Sequence, residues 1–392
     1  MPTDFRRDTQ PLTSSLTSQK RATGCAFFGA GLISAVWATI IPYLKINSGV
    51  SDGALGGLIL CMGLGALFAM PTVGPLSSRF GCRKVILAGF TLLLLAMLTL
   101  PLLSHFWLLM IMVVLAGAGL GTVDCAMNVQ AILVEKQSDK TMMSGFHGFY
   151  SLGGIVGALL MTFLLSLTSV TLSVVFCVCL IGVCLFYYQR HLLPYGNEQN
   201  GAAFALPRGP VLAIGTICFC FFLAEGAVLD WSSLFLTEYR SLPINLGGLG
   251  FAAFSIAMTA GRFTGDNVVS KFGGFPVVMA GTLTSAMGLV ILLALPYSVT
   301  SIIGYFLIGL GAANVVPVMF TAIANQTVMP QSTAVPAVST LAFSGVLLGP
   351  ASIGVVAEHS SLCTALLLLI PLLALVLLLS RFVPYQKSQF HD

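Results

Sequence analysis

Charge is what this sequence has least of. Only 8% of its 392 residues are Asp, Glu, Lys or Arg, against about 25% in an ordinary soluble domain. With 57% of the residues apolar, too few charged groups remain to cover a core, which excludes a soluble globular chain. The net charge of +4 comes from short loops rather than a basic face, so nothing points to nucleic acid. A phosphate-cradling Gly-x-x-x-x-Gly-Lys-Ser/Thr loop is also missing, which argues against an ATP-driven pump. Cysteine is present but sets no framework. Cys25, Cys61, Cys125, Cys177, Cys179, Cys184, Cys218 and Cys220 all lie in apolar runs, and no spacing matches a zinc site. The chain therefore reads as a non-enzyme with no metal and no cofactor.

What it has in quantity is long apolar runs. A span needs about 20 such residues. Twelve are counted, at 24–44, 53–73, 85–103, 107–134, 142–166, 169–188, 209–236, 246–265, 275–295, 299–323, 333–357 and 361–382. Helices are expected throughout, because lipid offers no partner to free backbone groups. The opening stretch is too polar, and the run after it too long, for a cleaved leader. The expected fold is an all-α membrane protein of twelve transmembrane helices in two pseudo-symmetric six-helix bundles. Its parts are a tail at 1–23, a bundle at 24–189, a linker at 190–208, a second bundle at 209–382 and a tail at 383–392. The tails are too short to add a receptor or signalling domain.

Alternate loops give the orientation. Arg6, Arg7, Lys20, Arg21, Arg79, Arg83, Lys84, Lys136, Lys140, Arg190, Arg208, Arg262, Lys271, Arg381 and Lys387 are assigned to one side, and only Lys45 and Arg240 to the other. The positive-inside rule then predicts that both termini are cytoplasmic.

An internal repeat supports the two bundles. "SSRFG" (77–81) aligns with "VSKFG" (269–273) at an offset of 192. The same offset brings "GAGLG" (117–121) onto "GLGAA" (309–313), and Gly153 and Gly157 onto Gly345 and Gly349. "FFGAGLISAVW" (27–37) meets "FFLAEGAVLDW" (221–231) at 194, so Trp37 and Trp231 are equivalent. Parallel halves of this kind are a known transporter plan.

The stretch Gly74-Pro-Leu-Ser-Ser-Arg79-Phe-Gly81-Cys-Arg83-Lys84 resembles the signature that the major facilitator superfamily carries after its second helix. Ser78 stands where that family usually has aspartate. The resemblance implies alternating access, with a gating loop made of Gly74, Arg79, Gly81, Arg83 and Lys84 and its counterpart Lys271 and Gly273. "HGFYSLGG" (147–154) and "AEGAVLDW" (224–231) look like enterobacterial inner-membrane members, and more distantly like the fucose permease branch of sugar–proton symporters. That branch pairs an acidic residue in span four with an asparagine four positions on, as Asp124 and Asn128 are here. It also has a glutamate in span seven six residues before a tryptophan, as Glu225 and Trp231 are here. Its aspartate in span one is replaced by Ala38, so sugar specificity is not implied.

The intramembrane polar residues are the candidate site. Asp124 lies near the middle of span four, with Asn128 about 40° further round the helix. A charge at that depth costs about 2.5–3.5 kcal/mol on insertion scales. Gly117 and Gly121 share its face and invite a close neighbour helix. Glu225 lies near the middle of span seven before Gly226, which allows local unwinding or a close contact, so that the carboxylate can reach a cavity. No intramembrane lysine or arginine is expected to neutralise either carboxylate. Asp230 lies nearer the outer end, where it either binds or pairs with Arg240. His147 and Tyr150 on span five, Asn314 on span ten, and Trp37 and Trp231 complete the set, each with a packing role as its alternative.

The expected function is proton-coupled symport of a small polar, sugar-like solute across the bacterial inner membrane by a monomer. Its partners are the solute, the coupled H⁺ and the lipid bilayer. Efflux of drugs or metabolites is the alternative. Exporters of this superfamily carry Gly-x-x-x-Gly-Pro in span five, whereas here Gly349-Pro350 lies in span eleven. Fifteen methionines, in contrast, suit an apolar substrate.

Overall fold

The computed structural model describes residues 15–49, 52–138, 140–196, 205–242 and 248–385, and all regular structure among them is helical. The helices are α1 (Leu16–Ser48), α2 (Asp52–Phe80), α3 (Cys82–Thr99), α4 (Phe106–Glu135), α5 (Met143–Leu167), α6 (Val170–Tyr188), α7 (Pro210–Leu234), α8 (Leu249–Phe272), α9 (Gly274–Ala294), α10 (Ser298–Ala312), α11 (Val315–Ile323), α12 (Gln331–His359), α13 (Leu362–Leu367) and α14 (Leu369–Leu379). Eleven stretches are long and apolar enough to cross a membrane, with α10 and α11 forming one of them and α13 and α14 another. Helix α8 has the length but is less apolar, because Arg262 and Asp266 lie in it. The protein is a multi-spanning, all-α membrane protein.

Several boundaries differ from those expected. Helix α1 begins at Leu16, so Lys20 and Arg21 belong to its first turns and not to a tail. The reason is polar packing. Buried Thr23 donates to the Gln19 carbonyl at 2.8 Å and accepts from Gln130 of α4 at 3.1 Å. Residues 1–14, with Arg6 and Arg7, lie outside the described residues, as do 197–204 of the linker and Lys387.

The expected gating loop at 74–84 is not a loop. Helix α2 runs through Phe80 and α3 starts at Cys82, so Gly81 alone makes the turn, at φ +83°. Gly273 does the same between α8 and α9, also at φ +83°. Side chains with a Cβ rarely adopt this conformation, which is why a glycine stands at both turns. The chain after α6 braces the first turn. The amides of Cys82 and Arg83 donate to Tyr195 and Leu193 carbonyls at 3.2 and 2.8 Å. Leu193 donates in turn to Gln130 Oε1 at 3.1 Å.

Span ten is broken at Ala313–Asn314. Pro317, on the first turn of α11, has no N–H to return to Ala313, and its ring crowds that carbonyl. Helix α7, by contrast, runs unbroken through Gly226, so no unwinding frees Glu225.

Packing relies on close glycine contacts, because lipid supplies no hydrophobic drive between helices. Helix α5 packs on α1, while α2 and α3 pack on α4. Likewise α12 packs on α7, while α8 and α9 pack on α10. The offset of the sequence repeat returns in the contacts. Gly117 lies against the Met62 carbonyl and Gly309 against that of Phe254. Gly153 and Gly157 lie on the Phe28 and Leu32 carbonyls, and Gly345 and Gly349 on those of Phe219 and Leu223.

The first six helices meet the rest chiefly through α2 on α12 and α5 on α8. Hydrogen bonds between them cluster at the end bearing the Gly81 and Gly273 turns. Thr321 Oγ1 of α11 donates to Glu135 Oε1 at 2.7 Å, and Lys136 donates to Gln331 at 2.7 Å. Thr141 Oγ1 donates to the Asp266 carbonyl at 2.9 Å. That end is closed.

Glycine substitutions should separate crossing points from open positions. A Cβ at Gly153 would collide with the Phe28 carbonyl, whereas one at Gly182 meets nothing within 4 Å. Gly153→Ala should lower the thermal midpoint of the detergent-solubilised protein. Gly182→Ala should leave it unchanged or raise it, by about 0.5–1 kcal/mol of stability. Equal midpoints for the two variants would count against the crossing geometry.

Candidate substrate and proton site

Asp124 sits in α4 and Glu225 in α7, and each is partly accessible although its neighbours along the helix are buried. Neither carboxylate accepts a hydrogen bond from a described residue. A charged group deep in a bundle that keeps access and lacks a partner faces an internal aqueous space. The small-residue face expected beside Asp124 is present, with Gly117 and Gly121 packed on Met62 and Ala66 of α2. Asn128 is buried. Its Nδ2 donates to the Asp124 backbone carbonyl at 2.9 Å, leaving Oδ1 unpartnered. It therefore braces the backbone at Asp124 and not the carboxylate.

The Tyr150 hydroxyl lies 3.0 Å from Ser34 Oγ of α1 and within electrostatic range of Asp124, Glu225 and Arg262. His147, one turn earlier on α5, is enclosed. Its ring lies 5.2 Å from that of Phe27 and 5.9 Å from that of Phe320, and Nε2 is buried without a partner.

The sequence reading missed Arg262. It lies within span eight as expected, yet it was assigned to a loop. The guanidinium is buried in α8, and its Nη1 donates to Ser151 Oγ of α5 at 2.5 Å. Glu225, Tyr150 and His147 are in its electrostatic range. The expectation that the membrane interior holds no cation is therefore wrong. The signal was available, since Arg262 lies inside the run 246–265 and not beyond its end.

Asn314 caps the break before α11, and its Nδ2 donates to the Gly261 carbonyl of α8 at 3.0 Å. Trp231 is partly buried, with its ring against Gly354 of α12 and its Nε1 unpartnered. Trp37 is partly buried on α1 and packs against the core. Asp230 is exposed on α7. Arg240 does not pair with it. That guanidinium donates to Ser301 at 2.9 Å and to the Leu292 carbonyl at 2.7 Å, and lies 4.6 Å from the Phe235 ring centre. A cavity of ≈ 20 Å³ beside Glu225, lined by Phe254, Ser285 and Tyr305, is too small for a solute.

At the closed end, Arg79, Lys84 and Lys271 are exposed and Arg83 is partly so. Gly74 packs on the Ser332 carbonyl of α12. The polar closure is made elsewhere. Glu135 Oε2 accepts from the amides of Met142 and Met143 at 2.6 and 2.8 Å. The Asp266 carboxylate accepts from those of Ser144 and Gly145 at 3.0 and 2.9 Å. Two carboxylates thus satisfy the free amides at the start of α5, where the helix dipole also favours negative charge. One of them comes from across the interface. Neither Glu135 nor Asp266 figured among the sequence candidates.

Among the described residues no cluster of His, Cys, Asp and Glu could hold a metal ion. A helical membrane fold with polar groups inside it, closed at one end, is that of a secondary transporter rather than an enzyme. The chain belongs to the Major Facilitator Superfamily, whose family model matches residues 23–327. It is 45% identical over 363 residues to an uncharacterized MFS-type transporter of Yersinia pestis, covering 90% of this chain and 94% of that protein. It is 31% identical to the membrane protein MosC of Rhizobium meliloti, covering 94% of this chain and 90% of MosC. Among solved structures it resembles the E. coli fucose:proton symporter, with a TM-score of 0.78 at 16% identity over 92% of this chain and 98% of that one. The proton:xylose symporter XylE gives 0.72 at 13% identity, over 95% of this chain and 96% of that one.

The cap on α5 can be tested directly. Asp266→Ala should weaken closure by about 0.5–2 kcal/mol, the usual worth of an N-cap. Limited trypsin digestion should then cut faster at Lys136 and Lys140, beside the freed helix start. An unchanged cleavage rate would mean that Asp266 does not hold this end closed.

Proposed function

We propose that the protein is a proton-coupled symporter of a small polar, sugar-like solute in the bacterial inner membrane, working as a monomer by alternating access. The twelve-span plan supports it, with α10–α11 and α13–α14 each counted as one span and α8 as another. Two six-helix bundles then follow, joined by the linker after α6. Matching contacts at one sequence offset favour this pairing. The observation that carries the reading is the pair of accessible, hydrogen-bond-free carboxylates, Asp124 from the first bundle and Glu225 from the second.

In this reading Asp124, Asn128 and Tyr150 bind solute hydroxyls, and Glu225 or Asp124 carries the proton. His147 is the reserve candidate for that role. Trp37, Trp231 and Asp230 line the outer approach, and Asn314 acts by packing. The Gly81 and Gly273 end faces the cytoplasm, so the conformation is closed on the inside. Fourteen of the fifteen basic residues assigned to that side still support this once Arg262 is moved into the membrane. The segment 74–84 acts in gating through the rigid turn at Gly81 and the contact at Gly74. The solved neighbours named as fucose and xylose symporters agree with a polar solute.

Orientation is checked with fusions at residue 392, where alkaline phosphatase should be inactive and a cytoplasmic reporter active. The reverse would overturn the topology.

The site is tested in proteoliposomes, with a solute first found by thermal-shift screening against sugars, sugar acids, amino acids and drugs. Asp124→Asn and Glu225→Gln keep shape but cannot titrate. The variant at the proton carrier should lose accumulation driven by a pH gradient while retaining exchange of labelled solute. If both single variants still accumulate solute, the proton is carried elsewhere and His147→Gln is tested next.

A further inference from the structure

A cavity of ≈ 430 Å³ lies between the start of α7 and the end of α14, far larger than the one beside Glu225. Small-molecule sites run from about 300 to 1,000 Å³. Pro210, Leu212, Ala213 and Thr216 line one wall, and Leu379 and Phe382 the other. Leu212 and Phe382 are exposed, so the groove opens at the protein surface. Pro210 and Phe382 are also the limits of their membrane-crossing stretches. Gly209 lies against Val328, three residues before the Gln331 that accepts from Lys136, so this is the closed end. The groove therefore runs from the membrane surface into the hydrocarbon.

Both walls are fixed. Gly209 turns the chain into α7 at φ +52°, and its carbonyl accepts from the Leu212 and Ala213 amides at 3.1 and 3.3 Å. Opposite it, the turn Ser380–Phe382 follows α14, and buried Ser380 donates to the Leu377 carbonyl at 2.8 Å. An arginine flanks each wall, Arg208 before Gly209 and Arg381 before Phe382. Both are exposed, and neither makes a hydrogen bond or ion pair with a described residue. The segments 205–216 and 376–385 hold no acidic residue. Thr216 lies about 9 Å further along α7 than Pro210. Thr259 and Thr282 donate back to the carbonyl four positions earlier in their helices. Thr216 makes no such bond, and its hydroxyl is left for a molecule in the groove.

Basic groups at the rim, a hydroxyl below them and apolar walls beyond match the order of groups along a phospholipid: phosphate, ester, acyl chain. Two guanidiniums with no acid beside them favour a net negative headgroup over a zwitterion, which brings its own cation. We propose that the α7–α14 groove is a binding site for an anionic phospholipid. The phosphate sits between Arg208 and Arg381, whose planar forks fit its oxygens. An ester oxygen accepts from Thr216, and an acyl chain lies along Leu212, Ala213 and Leu379. Bound lipid ties the start of α7 to the end of α14 and stabilises the second bundle. The site is independent of the solute carried.

Native mass spectrometry of the full chain in detergent, titrated with phosphatidylglycerol or phosphatidylcholine, tests this. The unaltered protein should retain one phosphatidylglycerol at concentrations where phosphatidylcholine is lost. Arg208→Gln with Arg381→Gln should weaken that retention by about tenfold or more, as expected of two basic groups at an anionic surface. Lys140→Gln with Arg190→Gln removes the same charge elsewhere at this end and should leave retention unchanged. Thr216→Phe fills the groove without altering charge and should also release the lipid. Phosphatidylglycerol should raise the thermal midpoint of the unaltered protein and not that of the Arg208/Arg381 double variant. Equal loss in the two double variants would reduce the effect to general attraction by a basic face and overturn the site. Equal retention of the two lipids, full retention in Thr216→Phe, or an equal adduct with glycerol phosphate alone would overturn the assignment to an anionic phospholipid.

Discussion

A charge placed in hydrocarbon must be met by protein or by water, and this constraint organises the molecule. The described residues of the interior hold Asp124, Glu225 and Arg262, with Glu135 and Asp266 nearer the closed end. The latter two are fully engaged as helix caps. The former three are underpartnered; Asp124 and Glu225 keep partial access, while Arg262 is buried.

Around this lies a scaffold of glycine-to-carbonyl crossings. In lipid these replace the hydrophobic drive that assembles soluble helices. They leave little slack, so the helices on each side move together and displacement collects between them. The seams α2–α12 and α5–α8 are where that displacement must occur.

Much of this was legible in the sequence. Composition and apolar runs gave the membrane-spanning helices, and a single offset gave the repeated contacts. Asp124 and Glu225 stood out as charges in oil. Other features were hidden, for physical reasons. Arg262 was misplaced because basic residues near a span end are usually cytoplasmic, and no local pattern shows which face of α8 is buried. Glu135 and Asp266 stood out in no motif, because most of their partners are backbone amides, which carry no sequence signature. Helix α1 began early because Thr23 meets Gln130 across more than a hundred positions. Gly81 was recognised, but one residue proved sufficient for a turn that was read as eleven.

The two seams occupy equivalent places yet are built from different materials. Counted by the repeat offset of 192, Gly74 corresponds to Asp266. One seam is a glycine lying flat on the Ser332 carbonyl, and the other is a carboxylate gripping two amides. Parting the first costs mainly contact area, while parting the second means rehydrating an anion and a helix start. The two sides of this end therefore differ in what holds them, although the framework around them is nearly symmetric.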